Sequence, residues 1–178
     1  YAAMAGQIER LKNYTLSMNT LQRLEDVPIV RRQVEVNDLT VKLNDTAEMI
    51  CGSKKLSVLN KITAAQINVD PEIVMQVFEN LLSNANRYAK TAISIQYAVD
   101  NDTFSIIVAD DGKGFDDTAL KSATDPFYTT EKKLAAEQHL GLGLNICKIL
   151  CERHNGSITL SHGVKAGATI TAQFGMAE

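Results

Sequence analysis

Residues 70–88 read DPEIVMQVFENLLSNANRY, a segment with the start and the periodicity of a long amphipathic helix. Asp70 is a residue type that caps helices, Pro71 suits the first turn, and Glu72 favours the positive end of the helix dipole. Spacings of three and four residues place a broad apolar set on one face: Val74, Val77, Phe78, Leu81, Leu82 and Ala85. The segment therefore predicts a helix from 71 to about 88 that buries this face.

A polar stripe adjoins the apolar face of this helix. Asn80 and Asn84 are one turn apart, so their amides point the same way, and Arg87 and Tyr88 follow on the same side. An amide oxygen can bind Mg²⁺ when phosphates supply the negative charge, and Arg87 can meet those phosphates. A solvated polar face would give the same pattern, so the stripe alone leaves both readings open.

Outward from this helix the chain divides into further elements. We expect, in chain order, a helix over 1 to about 25, a short strand near Val34, a helix over about 38–51 capped by Asn37 or Asp38, one or two strands within 56–67, strands at 92–97 and 103–108, a helix from about 142 to 154, and a hairpin of 157–161 with 169–174. Strands do not alternate one-to-one with helices. The order favours an α+β fold, with helices on one face of a mixed sheet, over a doubly wound nucleotide fold.

Two glycine-rich segments follow the central helix. In Asp110-Asp111-Gly112-Lys113-Gly114, glycines allow close backbone approach, and a carboxylate can accept a hydrogen bond from an exocyclic amine such as that of adenine. An ordinary turn or a cation loop has the same pattern, although the acids do not continue as in an EF-hand. Gly141-Leu142-Gly143-Leu144 opens a helix, where free N–H groups favour phosphate. It is neither a Walker loop nor a Rossmann fingerprint.

Composition limits the classes of partner. The chain has 178 residues, is 45% hydrophobic and carries a formal net charge of −3, so nothing indicates a nucleic-acid partner. No apolar run approaches the roughly 20 residues that cross a bilayer, and Tyr1 indicates a fragment. Cys147 and Cys151, four residues apart, could form half of a metal site. We favour buried, reduced thiols in a cytosolic protein, since nothing in the sequence completes such a site.

Four motifs together resemble the catalytic domain of sensor histidine kinases. Asn80-Leu81-Leu82-Ser83-Asn84-Ala85 resembles their N box, and Asp110-Asp111-Gly112-Lys113-Gly114 their G1 box. Asp125-Pro126-Phe127-Tyr128-Thr129-Thr130 is similar to the F box, and Gly141-Leu142-Gly143-Leu144 to the G2 box. They occur in the family's order and cover roughly 36–178, while Leu21-Gln22-Arg23-Leu24-Glu25-Asp26 looks like the second dimerisation helix. The implied division is a partial dimerisation helix at 1–27, a linker at 28–35 and a catalytic domain at 36–178.

The resemblance implies a Bergerat-type α/β sandwich that binds ATP and Mg²⁺ between the N-box helix and a lid. By this carry-over Asn84 coordinates Mg²⁺ and Asn80 supports the site, while Arg87 and Tyr88 lie beside the nucleotide; Asn80, Asn84 and Arg87 also serve catalysis. Asp110 binds the adenine amine in a pocket shaped by Gly112 and Gly114. The remaining residues expected at the nucleotide are Phe127, which anchors the lid, the lid lysines Lys132 and Lys133, and Gly141, Leu142, Gly143 and Leu144.

The chain departs from the family pattern in two respects. His139 stands where the G2 box usually begins with a further glycine, and no histidine precedes it, so the phosphoacceptor is absent. We interpret His139, His154 and His162 as local surface residues. The fragment is therefore expected to bind ATP without autophosphorylating in the usual way.

The resemblance also implies partners and a location. These are the protein's own dimerisation and phosphoacceptor domain, a homodimer of the full-length protein, and a response regulator whose aspartate receives the phosphate. The chain would be a cytoplasmic domain of a bacterial plasma-membrane sensor, attached to the membrane only through segments outside it.

Two other functions remain open from the sequence. ATP hydrolases of the same fold carry a glutamate one turn before the metal-binding asparagine, where this chain has Asn80, and an amide cannot act as a general base. Glu79 is adjacent but is expected to point toward solvent. A non-catalytic dimerising module is the other alternative, against which the intact Asn84, Asp110 and glycines argue.

Overall fold

The structure is a computed structural model that describes residues 23–24, 26–128, 141–163 and 167–177. The helix predicted over 1 to about 25 lies outside the described residues, apart from Arg23 and Leu24. The described elements are β1 (Arg32–Glu35), α1 (Val36–Cys51), β2 (Lys55–Asn60), β3 (Gln66–Val69), α2 (Pro71–Tyr88), β4 (Ala92–Asp100), β5 (Thr103–Asp110), α3 (Asp117–Ser122), α4 (Gly143–Arg153), β6 (Ser157–His162) and β7 (Ala168–Gly175).

A five-stranded mixed sheet forms the centre of the fold. Its strand order is β2-β4-β5-β7-β6, in which β2 and β4 are parallel and the other neighbours are antiparallel. Alternate residues of β5 are buried, and α2 contacts β5 and β7 while α4 contacts β6 and β7. Strands β1 and β3 form a separate antiparallel pair. The predicted α+β class, with helices on one face of a mixed sheet, is confirmed.

Helix α2 matches its prediction from end to end. Oδ1 of Asp70 accepts hydrogen bonds from the backbone N–H groups of Glu72 (3.1 Å) and Ile73 (3.2 Å), and Pro71 occupies the first turn. The predicted apolar face is buried, together with Ile73. The remaining stripe of α2 is therefore the part that can meet a ligand.

Two helices, α1 and α3, differ from the predictions. Helix α1 begins at Val36 rather than near Asp38, and its cap residue Glu35 makes no side-chain capping bond. The reason is that the Val36 N–H donates to the Ala65 carbonyl, so β1 continues directly into the helix. Helix α3 was not predicted; Asp116 caps it by accepting from the Ala119 N–H at 2.7 Å.

The segment before β1 packs beside the end of β7. Arg31 Nε donates to the Gly175 carbonyl at 3.3 Å, and the Val30 N–H donates to Asp70 Oδ2 at 2.7 Å. Leu24 is buried, and its carbonyl accepts a hydrogen bond from Arg153. The predicted division into helix, linker and catalytic domain stays a prediction, although the last four residues of the predicted linker form β1.

His154 is not the surface residue that we predicted. Its side chain is fully buried, its Nε2 accepts from the Asp70 N–H at 2.9 Å, and its ring meets Phe174 edge-on with centroids 5.5 Å apart. Burial, followed by the nearby charge of Arg31, lowers the His154 pKa. The sequence did not indicate this environment, because the residues around the ring come from distant segments.

His162 and the three cysteines have the burial that the sequence predicted. His162 is exposed as predicted, and His139 lies outside the described residues. Cys51, Cys147 and Cys151 are buried free thiols, as expected. Among the described helices, none has the length and apolar character to cross a membrane.

Candidate functional site

The two predicted amides of α2 lie half-buried on its polar stripe. Asn80 is held by a hydrogen bond from its Nδ2 to the Gln76 carbonyl at 2.9 Å. Asn84, one turn further on, has no side-chain hydrogen bond with any described residue, which leaves its amide oxygen available to a cation. Arg87 is exposed and Tyr88 is half-buried at the end of the helix. Glu79 is exposed, as predicted.

Asp110 ends β5 as a buried carboxylate with one oxygen committed to the protein. Its side chain is 7% exposed, and Oδ1 accepts from the N–H groups of Gly112 (2.7 Å) and Ala168 (3.4 Å). Burial raises the pKa of Asp110, against the opposing effect of these two hydrogen bonds. Within the described part of the chain nothing bonds to Oδ2, so this oxygen can accept a hydrogen bond from a ligand.

Glycines make the surroundings of Asp110 close-packed. A β-carbon on Gly112 would lie 2.2 Å from the Tyr88 carbonyl oxygen, so the Asp110 loop presses against the end of α2. Gly114 has φ +78°, and a β-carbon there would lie 2.6 Å from the Gly167 carbonyl oxygen. No side chain larger than hydrogen fits at these contacts.

Gly167 and Ala168 lie beside Asp110, although the sequence placed them only between the two strands of the last hairpin. A β-carbon on Gly167 would lie 1.8 Å from the Asp110 carbonyl oxygen, and the Ala168 N–H contacts the Asp110 carboxylate. A signal was present: Gly163 and Gly167 both flank one hairpin turn, which is typical of a close backbone approach as well as of a turn.

The N-terminus of α4 lies beside the amide stripe of α2. A β-carbon on Gly143 would lie 3.2 Å from Asn80 Oδ1, and the cap residue of α4, Leu142, makes no side-chain capping bond. Among the described residues, the first N–H groups of α4 are therefore free of side-chain caps, as a phosphate site requires. Leu142 is half-buried, whereas Leu144 packs in the hydrophobic core, so its side chain is not available to a ligand and only its backbone could contact one.

Gly141 lies close to Phe127 and Tyr128, which end the preceding described segment. Gly141 and Phe127 have positive φ, +67° and +65°, and a β-carbon on Gly141 would lie 2.3 Å from the Tyr128 carbonyl oxygen. Phe127 is half-buried. Lys132 and Lys133 lie outside the described residues, so their roles stay predictions.

Together these contacts arrange the predicted residues along one helix. Asn80 marks the end of the stripe beside α4, and Tyr88 marks the end beside Gly112 and Asp110. The two positions are eight residues apart, or about 12 Å along a helix axis. A polar stripe thus runs from a helix N-terminus suited to phosphate to a buried carboxylate suited to an amine.

Comparisons with known proteins relate this chain to one family. The family described as histidine kinase-, DNA gyrase B- and HSP90-like ATPase matches residues 69–178. Sensor histidine kinase SpaK of Bacillus subtilis is 26% identical over 170 residues, covering 93% of this chain and 37% of the relative. Signal transduction histidine-protein kinase BaeS of Escherichia coli (strain K12) is 36% identical over 107 residues, covering 58% of this chain and 23% of the relative.

A solved structure supports the fold. Histidine kinase AdeS of Acinetobacter baumannii superposes with a TM-score of 0.70 at 20% identity, over 97% of this chain and 81% of that one. The chain spans less than two fifths of the length of the SpaK and BaeS relatives.

Proposed function

We propose a function for this chain from one premise, which the family match establishes: it belongs to the histidine kinase-, DNA gyrase B- and HSP90-like ATPases. Membership implies ATP binding, and the similar proteins are named as histidine kinases. The chain is the ATP-binding catalytic part of a histidine kinase, and we propose that it passes the γ-phosphoryl group to a histidine supplied by another segment. The final acceptor is an aspartate of a response regulator.

The observation that carries the proposal is the half-satisfied Asp110 carboxylate. Its Oδ1 is held by Gly112 and Ala168, while Oδ2 is unbonded among the described residues. A buried acceptor of this kind suits the exocyclic amine of adenine, since an unpaired buried charge is otherwise costly. We assign Asp110 to the purine and Gly112 and Gly114 to the walls of its pocket.

The other end of the stripe fits the phosphates and the metal. Asn84, whose amide oxygen no described residue bonds, can offer it to Mg²⁺, which would neutralise phosphate charge when bound. Asn80 lies beside Gly143, where the uncapped first turn of α4 can donate N–H groups to phosphate oxygens. Arg87 is exposed on the same side and can supply a cation. The protein thus contributes position and charge to an in-line phosphoryl transfer, with the imidazole as the nucleophile.

Glu79 bears on the hydrolase alternative. It is exposed on α2, and the position one turn before Asn84 is an amide, which cannot deprotonate water. These features favour transfer to an incoming nucleophile over hydrolysis. Steady phosphate release that Glu79→Gln abolishes would instead assign the chain to the hydrolases.

Calorimetric titration with ATP, with and without Mg²⁺, tests the proposal. Asp110→Asn should weaken binding by about 1.5–3 kcal/mol, since a hydrogen bond to a charged group is lost. Asn84→Ala should remove most of the gain in affinity that Mg²⁺ gives. Asp100→Asn, at the exposed end of β4, and Ser83→Ala, on the exposed side of α2, are the matched controls. Absence of ATP binding by the unsubstituted chain would refute the proposal.

A further inference from the structure

The Asp111 carboxylate holds the turn that follows α2, whereas the neighbouring Asp110 carboxylate bonds to Gly112 and Ala168. Oδ1 of Asp111 accepts from the N–H groups of Lys90 (2.8 Å) and Thr91 (3.0 Å), and its Oδ2 accepts from the Thr91 hydroxyl at 2.6 Å. These bonds, led by the one from the Thr91 hydroxyl, lower the pKa of Asp111. The carboxylate therefore stays charged at neutral pH and fixes the turn of residues 89–91.

Lys54 holds the same turn by its carbonyl groups. Its Nζ donates to the carbonyls of Ala89 (2.6 Å) and Lys90 (3.0 Å), which lie just beyond the last turn of α2. The Lys55 N–H donates to the Thr91 carbonyl at 2.8 Å. Donors from Lys54 and Lys55, together with the Asp111 carboxylate, thus bond to all three residues of the 89–91 turn.

The 89–91 turn is connected directly to the proposed purine site. Tyr88 precedes it, and the Tyr88 carbonyl forms the surface against which Gly112 packs. Gly112 in turn donates the 2.7 Å hydrogen bond to Asp110. A shift of the turn would therefore move the contact at Gly112 and reorient the Asp110 carboxylate, because close-packed backbone transmits displacement.

We infer that Asp111, Thr91 and Lys54 are positioning residues that set the geometry of the purine end of the nucleotide site. The inference rests on the proposed function. It assigns a separate role to each half of the Asp110-Asp111 pair: Asp110 contacts the purine, and Asp111 holds the backbone that orients Asp110. Its effect is confined to the purine end, since Asn84 lies one helical turn from Tyr88 along α2, and Gly143 of α4 lies beside Asn80, about two turns from Tyr88.

Thr91 allows the cleanest test, because it is exposed and isosteric variants exist. Thr91→Val removes the hydroxyl bond to Asp111, whereas Thr91→Ser retains it. We expect Thr91→Val and Asp111→Asn to weaken ADP binding measured in EDTA by about tenfold, the loss expected when Asp110 is misoriented and its charge-assisted hydrogen bond to the adenine amine is lost. Thr91→Ser should bind ADP like the unsubstituted chain. Lys54→Met should weaken it in the same direction, with Lys61→Met and Asp100→Asn as controls.

A second readout separates positioning from simple stabilisation. The ratio of ADP affinities with and without Mg²⁺ should stay unchanged in Thr91→Val and Asp111→Asn, because the metal end is intact. A fall in melting temperature with unchanged ADP affinity in EDTA would overturn the inference, as would an equal loss in Thr91→Ser and Thr91→Val. If the unsubstituted chain binds ADP and only these variants behave unexpectedly, the positioning role fails while the proposed function stands; if it binds no nucleotide, both fail.

Discussion

At the scale of single residues, Asp110 combines the proposed contact with the purine and an unfavourable effect on the stability of the folded chain. Burial raises its pKa, so the folded protein holds a carboxylate in surroundings that favour the neutral acid. The hydrogen bond from Gly112 offsets only part of this desolvation. Binding sites commonly carry such local destabilisation, because the ligand supplies the missing partner.

We predict that Asp110→Asn stabilises, or leaves unchanged, the nucleotide-free fold at neutral pH. The folded-state pKa of Asp110 lies above the ordinary 3.8. The stabilisation of the fold by the protonated acid is therefore fully present below pH 3.8 and is lost as pH rises through the folded pKa. Asparagine retains an acceptor for the Gly112 N–H without the charge. Thermal melts without nucleotide should show the variant melting at or above the unsubstituted chain at pH 7, with less advantage at pH 4. A clear loss of stability confined to pH 7 would contradict this.

At the scale of elements, α2 depends on Asp70 at its N-terminus. One oxygen of Asp70 caps the helix, and the other accepts from the Val30 N–H. Asp70 therefore links the helix that carries Asn80 and Asn84 to the segment that leads into β1. The side chain is 5% exposed, so lost bonds cannot readily be replaced by water.

We predict that Asp70→Ala lowers the free energy of unfolding by about 2–3 kcal/mol, since it removes a helix cap and a buried acceptor. Asp70→Ser keeps a capping oxygen and loses the contact with Val30, so it should cost about 1 kcal/mol. Urea denaturation measures both values. Equal losses in the two variants would show that capping contributes little here.

The same elements show what the sequence could and could not predict. Helix α2 was predictable because its cap, its proline and its apolar period all lie within one segment. The start of α1 was not, because it depends on the Ala65 carbonyl from a separate segment. The four motifs of the site were visible as short runs, whereas Gly167 and Ala168 act through backbone contacts with Asp110, which spacing alone does not reveal.

At the scale of the whole molecule, His154 lies where several segments meet. Its Nε2 accepts from the Asp70 N–H, its ring contacts Phe174, and its carbonyl accepts from the Gly175 N–H. Its Nδ1 is buried and has no hydrogen-bond partner among the residues that the structure describes. Protonating this ring would break the bond from Asp70 and place a second cation near Arg31, so the fold requires neutral imidazole.

We predict that acid destabilises the fold through His154. Its folded pKa lies below the ordinary 6.5, so the unfolded chain binds the extra proton and stability falls as pH drops below about 6.5 toward the folded pKa. The slope is at most about 1.4 kcal/mol per pH unit. His154→Gln should flatten this slope between pH 7.5 and 5.5 in urea denaturation, while His162→Gln, an exposed control, should not. Identical slopes in His154→Gln and the unsubstituted chain would exclude His154 as the cause.

The contact between Arg31 and Gly175 would allow a circular permutant of this chain. The chain enters β1 beside the point where it leaves β7. Asn68 also donates there, to the Met176 carbonyl. In a chain shortened to residues 30–177, a short peptide could therefore bridge the two ends, and new termini could be opened at the exposed Asn101 turn between β4 and β5. Such a circular permutant would keep every strand pairing while reversing which half of the fold emerges first from the ribosome.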